Sequence, residues 1–297
     1  MAIHNQVILY AQVTKPPTIT KNDDGEYIRG NLAVTVAPGQ RETGMKVRKR
    51  NLVKVRFGEL PVITENPDML KIMDGFHVGD VIILKGTLTT KNVLKKKACP
   101  VCGKEHRKEG TLTFVHPIHM HIEQKGLSAE EGAEILKHNC EISNLVTIAG
   151  TICNTKPEIV ISNKHMSMVQ FQLAINRKYF IAADNVETRT DYPWVKVYGK
   201  DKVDDIILRC KQGTVVLIDG FLQVRKYPEL IIDCDDPICS GQIKWNDWTV
   251  DLIAYEVEYL NNWKTDEEIA KEKEEEAAKI QSETFGDFAS KPNACQI

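Results

Sequence analysis

The chain has 297 residues and a mass of 33.6 kDa, with 42% hydrophobic and 27% charged residues. That composition is globular, long enough for about two domains, and excludes collagen-like, wholly disordered and disulfide-scaffold architectures. The net charge of −2 hides an asymmetry: residues 1–126 carry 20 Lys+Arg against 12 Asp+Glu, and residues 127–297 carry 19 against 29. The first half therefore attracts a polyanion and the second repels it. Along the chain, VILYAQVTKPP (7–17) and GNLAVTVA (30–37) alternate apolar and polar residues, as half-buried strands do. NLVKVRFGE (51–59) reads as a third strand, PDMLKIMDGF (67–76) as a short helix, GDVIILKGTL (79–88) as a fourth strand and TFVHPIHMHIE (113–123) as a fifth. LSAEEGAEILKHN (127–139) opens on a Ser128–Glu131 capping box and reads as a linker helix.

The pattern then repeats. VTIAGTICNTKP (146–157), VQFQLAINR (169–177), YPWVKVYGK (192–200), the helix-like KVDDIILRC (202–210), GTVVLIDGFL (213–222) and WTVDLIAYEVEYL (248–260) follow in the same order. Five Gly-bounded strands with a helix between the third and fourth are the layout of an oligonucleotide-binding barrel. The expected architecture is mainly all-β: two tandem five-stranded OB-fold barrels at 1–126 and 144–262, joined by a short linker helix within 127–143. TDEEIAKEKEEEAAKIQ (265–281) reads as a charged helix or arm, within an acidic helix and tail at 263–297.

The second copy resembles the bacterial single-stranded DNA-binding protein family. The resemblance rests on VTIAGTI, KPE, FQLAINRKY, DYPWVKVYGK and KQGTVVLIDGFLQVRKY, over about residues 144–230. The first copy is similar mainly through its glycines and strand pattern, and the pair looks like a tandem two-barrel member such as a plasmid, phage or mobile element encodes. By position the resemblance places base-stacking rings at Tyr179, Tyr192, Tyr198 and Tyr227. Trp194 shares the strand face of Tyr192 and Tyr198, as a core or a platform residue. Arg177, Lys178, Lys196, Arg225 and Lys226 stand beside the rings as candidate phosphate contacts. Stacking suits this task because every base has a π-face, and it contributes about 1–3 kcal/mol per base. The plainer reading of any one such Tyr is strand packing; their joint placement favours stacking. In the first copy the alignment gives Asn51 and Asn92 for Tyr192 and Tyr227, and only Phe57, for Tyr198, is aromatic. That copy adds charge at Arg48, Lys49, Arg50, Lys54 and Arg56. Either it supplies phosphate attraction while the second copy stacks bases, or the stretch is a solvated basic loop.

ACPVCGKEH (98–106) has the Cys-Pro-x-Cys-Gly shape of a zinc knuckle, with Cys99, Cys102 and His106 as candidate ligands of a structural zinc. The second copy has CDDPIC (234–239) at the same place. Three readings stay open: a zinc on the first hairpin with one further ligand, a four-cysteine site shared by both copies, and a metal-free hairpin.

There is no phosphate-cradling Gly-rich loop, Gly-x-Ser-x-Gly elbow or His-Glu-x-x-His helix in the sequence, so a non-enzyme is expected. The first functional expectation is sequence-tolerant binding and protection of single-stranded DNA in replication, recombination or repair. A protein–protein assembly module with weak nucleic-acid or RNA affinity is the alternative. Expected partners are single-stranded DNA, replication or recombination proteins, and a second copy in a dimer. Eight cysteines with one Cys-x-x-Cys pair fit a reducing cytoplasm. No apolar run approaches the ~20 residues of a membrane helix, and Met1 to Tyr10 lacks a secretory layout.

Overall fold

The computed structural model describes residues 4–37, 57–154, 156–162, 166–176 and 190–289. The first copy comprises β1 (His4–Val13), β2 (Thr18–Lys21), β3 (Tyr27–Val36), β4 (Gly58–Thr64), α1 (Pro67–Asp74), β5 (Val81–Ala98) and β6 (Glu105–Gln124). Two short helices follow, α2 (Ala129–His138) and α3 (Cys140–Ser143). The second copy comprises β7 (Asn144–Ile152), β8 (Glu158–Ser162), β9 (Ser167–Asn176), β10 (Thr190–Asp191), β11 (Trp194–Tyr198), α4 (Lys200–Arg209) and β12 (Val215–Lys226). It ends with β13 (Leu230–Asp233), β14 (Gln242–Trp245) and β15 (Trp248–Asn261), before α5 (Asp266–Ala289).

Each copy closes on itself. In the first the circuit runs β1–β3–β4–β6–β5 and back to β1, with β4 and β6 parallel and the other pairs antiparallel. In the second it runs β7–β9–β11–β15–β12 and back to β7, with β11 and β15 the parallel pair. These are two OB-fold barrels, α1 and α4 each standing between the third and fourth strands. Alternation along the strands sends Leu9, Leu32, Val62, Leu84, Ile148, Phe171, Val195, Val216 and Leu252 inward to a continuous core.

The repeat extends to detail that composition does not show. Asn5 Nδ2 donates to Leu88 O at 2.8 Å while Leu88 N donates to Asn5 Oδ1 at 2.9 Å. Asn144 repeats the clamp on Leu222, at 2.8 and 3.0 Å. In each copy a buried asparagine thus replaces ladder bonds between first and fourth strands, satisfying both backbone groups of one leucine. Two residues before each leucine, Gly86 and Gly220 sit at bulges. A Cβ there would collide with the carbonyls of His116 and Ile253 respectively.

The copies are joined edge to edge: β1 pairs antiparallel with β7, from His4↔Ala149 to Leu9↔Asn144. The linker helices dock on the first barrel, where Ser143 Oγ donates to Tyr10 O and accepts from Ala37 N. The Ser128–Glu131 capping box forms as the sequence predicts. The third strand of the first copy differs from expectation. Among the described residues it is Gly58–Thr64, running past the expected end at 59, and Pro61 inside it masks the strand signal there; residues 51–56 of the expected strand lie outside the described residues. The β5–β6 hairpin is also longer than the alternation implied, because Lys91 to Arg107 form a charged, two-sided ribbon with no apolar face to read.

Candidate nucleic-acid interface

Strand β11 carries the second barrel's outer face. Val195 and Val197 point into the core, so Trp194, Lys196 and Tyr198 point out. Trp194 is 36% exposed and Tyr198 is half-buried. Just before them Tyr192 is 42% exposed. Its amide donates to Thr90 Oγ1 of β5 at 2.9 Å, and its carbonyl accepts from Gln172 Nε2 at 3.1 Å. Neighbouring Asp191 is buried and accepts from Thr90 N at 2.7 Å. The first barrel's hairpin therefore positions the ring of the second.

Immediately after β12, Tyr227 is 44% exposed. The Arg225 guanidinium lies 4.5 Å from the Tyr227 ring centroid and donates to its hydroxyl at 2.9 Å. Arg225 Nε also donates to Asp251 at 3.1 Å. The Asp251 carboxylate is buried and accepts from Lys196 Nζ as well. Two cations over one carboxylate leave this face with a surplus positive charge, held still beside the rings. Burial, then the Asp251 charge, raises the Tyr198 hydroxyl above its ordinary range, so that ring stays neutral.

The sequence-predicted residues divide as follows. Trp194, Tyr198 and Arg225 share the outer face of β11 and β12, joined through Lys196 and Asp251, with exposed Tyr192 and Tyr227 flanking it; Lys226 is exposed but alternates to the other side of β12 from Arg225. Lys196 is a correction: at 2% exposure it is neutralised by Asp251 and braces the face rather than reaching a phosphate. Phe57 is another: it packs against the small core of Tyr10, Ala37, Val81, Leu136 and Cys140. Tyr179, Arg177, Lys178, Arg48, Lys49, Arg50, Lys54 and Arg56 lie outside the described residues, as does Asn51.

Two features escaped sequence reading. Trp248 is exposed and directly opposite Lys226 across the β12–β15 ladder. The β5–β6 hairpin brings Lys95, Lys97, Lys104 and Lys108 onto Asp247, Lys244 and Asp235 of the second barrel, while Lys91 pairs with Glu65 and Lys96 and Arg107 with Glu105. Lys95 and Lys108 grip Asp247 at 2.6 and 2.5 Å, holding its carboxyl below the usual range, with Lys108 the larger influence. Asp247 O in turn accepts from Tyr227 N at 2.8 Å. The signal was the Lys95–Lys97 run, but only the fold shows which barrel it faces.

The hairpin tips bring four thiols together. Cys99 and Cys102 lie in the β5–β6 turn, and Cys234 and Cys239 in the loop between β13 and β14. All four sulfurs lie within 4.8 Å of one another, a set that could hold a metal ion. Cys99, Ile243 and Trp245 are buried around them. Amides of Cys102 and Val101 pull the Cys99 thiol down to about 7. The Asp236 amide favours a thiolate at Cys234 too, but desolvation and the neighbouring sulfurs push that thiol up to about 12. His106, expected as a ligand beside Cys99 and Cys102, is not in the four-sulfur set. Its Nε2 stands 3.3 Å from Cys234 Sγ and 3.5 Å from Asp235.

Comparisons with known proteins place this geometry. The chain resembles the wild-type single-stranded DNA binding protein of Thermus aquaticus, at 14% identity and a TM-score of 0.51, covering 89% of this chain and 97% of that one. A deletion mutant of the same Thermus aquaticus protein matches at 15% identity and a TM-score of 0.52, covering 89% and 98%. At such identity the likeness establishes the fold, including its extension over both barrels. No curated protein matches the chain by sequence. Residues 143–229 match the family described as the Single-strand binding protein family. The stretch that matches that family thus lies in the second barrel, the one that carries the exposed rings.

Proposed function

We propose that this chain binds single-stranded DNA with little regard to sequence, stacking bases on Tyr192, Trp194, Tyr198 and Tyr227 while cations hold the backbone. The observation that carries this reading is the exposure of Tyr192, Trp194 and Tyr227 beside Arg225 on a single-strand binding family barrel. Unpaired bases offer faces to such rings, whereas a duplex hides them. Lys226 and the basic hairpin supply phosphate contacts, whose release of counterions makes affinity fall with salt.

In this reading the chain coats DNA intermediates of replication, recombination or repair in the cytoplasm. The first barrel (1–126) and second barrel (144–262) form one binding body, and two chains assemble as a dimer. Among the described residues no helix is long and apolar enough to cross a membrane. The chain binds without catalysing a reaction, and any zinc it holds is structural. Fluorescence titration with a dT oligomer and with a duplex of equal length tests the proposal. Much tighter binding of the dT oligomer is expected; equal affinity at the same salt overturns it and leaves the assembly-module reading.

A further inference from the structure

The two hairpin tips differ from a pair of surface loops in contact. Cys99 Sγ lies 3.7 Å from Cys239 Sγ, and Cys102 Sγ lies 3.6 Å from Cys234 Sγ. Each close pair joins one barrel to the other. A tetrahedral zinc with Zn–S bonds of about 2.3 Å requires sulfurs about 3.8 Å apart. A disulfide requires about 2.05 Å. Both close pairs have the spacing of a tetrathiolate cage, and all four sulfurs lie within 4.8 Å of one another.

The loops close tightly on the sulfurs: Gly241 N donates to Cys239 Sγ at 3.3 Å. Gly103 takes a φ of +76° to turn the first knuckle. Gly241 is required by closeness: a Cβ there would lie 2.5 Å from Cys99 Sγ and 3.1 Å from Val101. The contact therefore depends on a glycine contributed by the other barrel.

We infer that Cys99, Cys102, Cys234 and Cys239 hold one zinc ion, two ligands from each barrel, so that the metal clasps the β5–β6 hairpin to the second barrel. Binding exchanges four thiol protons for one Zn²⁺, leaving a site of net charge −2. Lys104, paired with Asp235 at 3.0 Å, and His106, beside Cys234, flank it. Across the same contact Lys97 Nζ donates to Lys244 O and His106 Nε2 stands 3.5 Å from Asp235. Ile243 and Trp245 are its buried apolar residues, and Asp247 anchors Lys95 and Lys108 further along. The apolar cluster here is small, and small folds with little core of their own commonly rely on metal. His106 also groups with Cys234 and Asp235, but the four-sulfur set already completes a tetrahedron, so the clasp leaves it unligated.

Metal analysis of the full chain, purified under reducing conditions without DNA, tests the inference. About one zinc per chain is expected, retained in His106→Gln and lost both in Cys99→Ser/Cys102→Ser and in Cys234→Ser/Cys239→Ser. Should a serine variant fail to fold, cobalt substitution of the wild-type chain gives an independent reading. Sulfur-to-cobalt charge-transfer bands of four-thiolate intensity support the clasp, and bands of two-thiolate intensity overturn it. Zinc kept by Cys234→Ser/Cys239→Ser but lost by His106→Gln would place the metal on the first hairpin alone and sink the proposal. Less than about half a zinc per chain would do the same. On chelation, hydrogen exchange of residues 91–109 and 229–247 should rise while the barrel strands stay protected. The readout involves no nucleic acid, so a zinc-free chain that binds dT oligomers refutes only the clasp, and a zinc-loaded chain that ignores them refutes only the proposed function.

Discussion

The two barrels share a frame and differ on one face. Leu88 pairs with Val115 and Leu222 with Leu252, while Val62 lies opposite Val115 and Val195 opposite Leu252. Structural equivalence follows: Trp194, Lys196 and Tyr198 of the second barrel correspond to Pro61, Ile63 and Glu65 of the first. On the fourth strand and immediately after it, Arg225 and Tyr227 correspond to Lys91 and Val93. This register replaces the sequence alignment that set Phe57 against Tyr198 and Asn92 against Tyr227. Where the second barrel joins Lys196 to Asp251, the first places Ile63 near Phe114, both buried. Where the second sets Arg225 against a tyrosine ring, the first pairs Lys91 with Glu65 at 3.6 Å. The frame tolerates either face because its inward positions are the same kind of apolar residue. The proposed function therefore rests on the outward positions, which the core does not constrain.

The largest effect that would test this comparison is on stability. Asp251→Ala leaves the Lys196 ammonium buried without a partner and should cost about 3–5 kcal/mol, read from urea denaturation of the full chain. Lys196→Ile with Asp251→Phe installs the first barrel's apolar pair and should recover most of that loss. If the single and double variants unfold alike, the pair is not what braces this face. Next in size is affinity. Trp194→Ala and Tyr227→Ala should each weaken dT binding by about 1–3 kcal/mol. Pro61→Ala and Val93→Ala, at the equivalent first-barrel positions, should leave it unchanged. Equal losses in both barrels would mean that both faces stack bases. The smallest effect concerns the hairpin. Lys96→Gln with Arg107→Gln should reduce the slope of log affinity against log salt by up to about 0.7 per phosphate contact removed. An unchanged slope would show that these cations meet only Glu105, which both already contact.

Much of the frame was legible because strand alternation, Lys-Pro exits and glycine spacing are local signals. The five-strand order of the second barrel and the Ser128 capping box needed nothing more. The rings at Tyr192, Trp194, Tyr198 and Tyr227 were legible as a joint pattern on a recognisable scaffold. The third strand of the first barrel was not, since Pro61 breaks its signal. Nor was the burial of Lys196, because a lysine looks the same in sequence whether it faces solvent or an aspartate 55 residues away.

The amino-acid order by itself determined the two barrels, through apolar side chains that must alternate to be buried. Only the tertiary structure decided what the barrels do to each other. It placed β1 against β7, pinned Tyr192 to Thr90, and brought Cys99 and Cys102 to Cys234 and Cys239. Those contacts join residues a hundred or more positions apart. No local pattern encodes them, because they exist only once both cores have formed and fixed where each hairpin points.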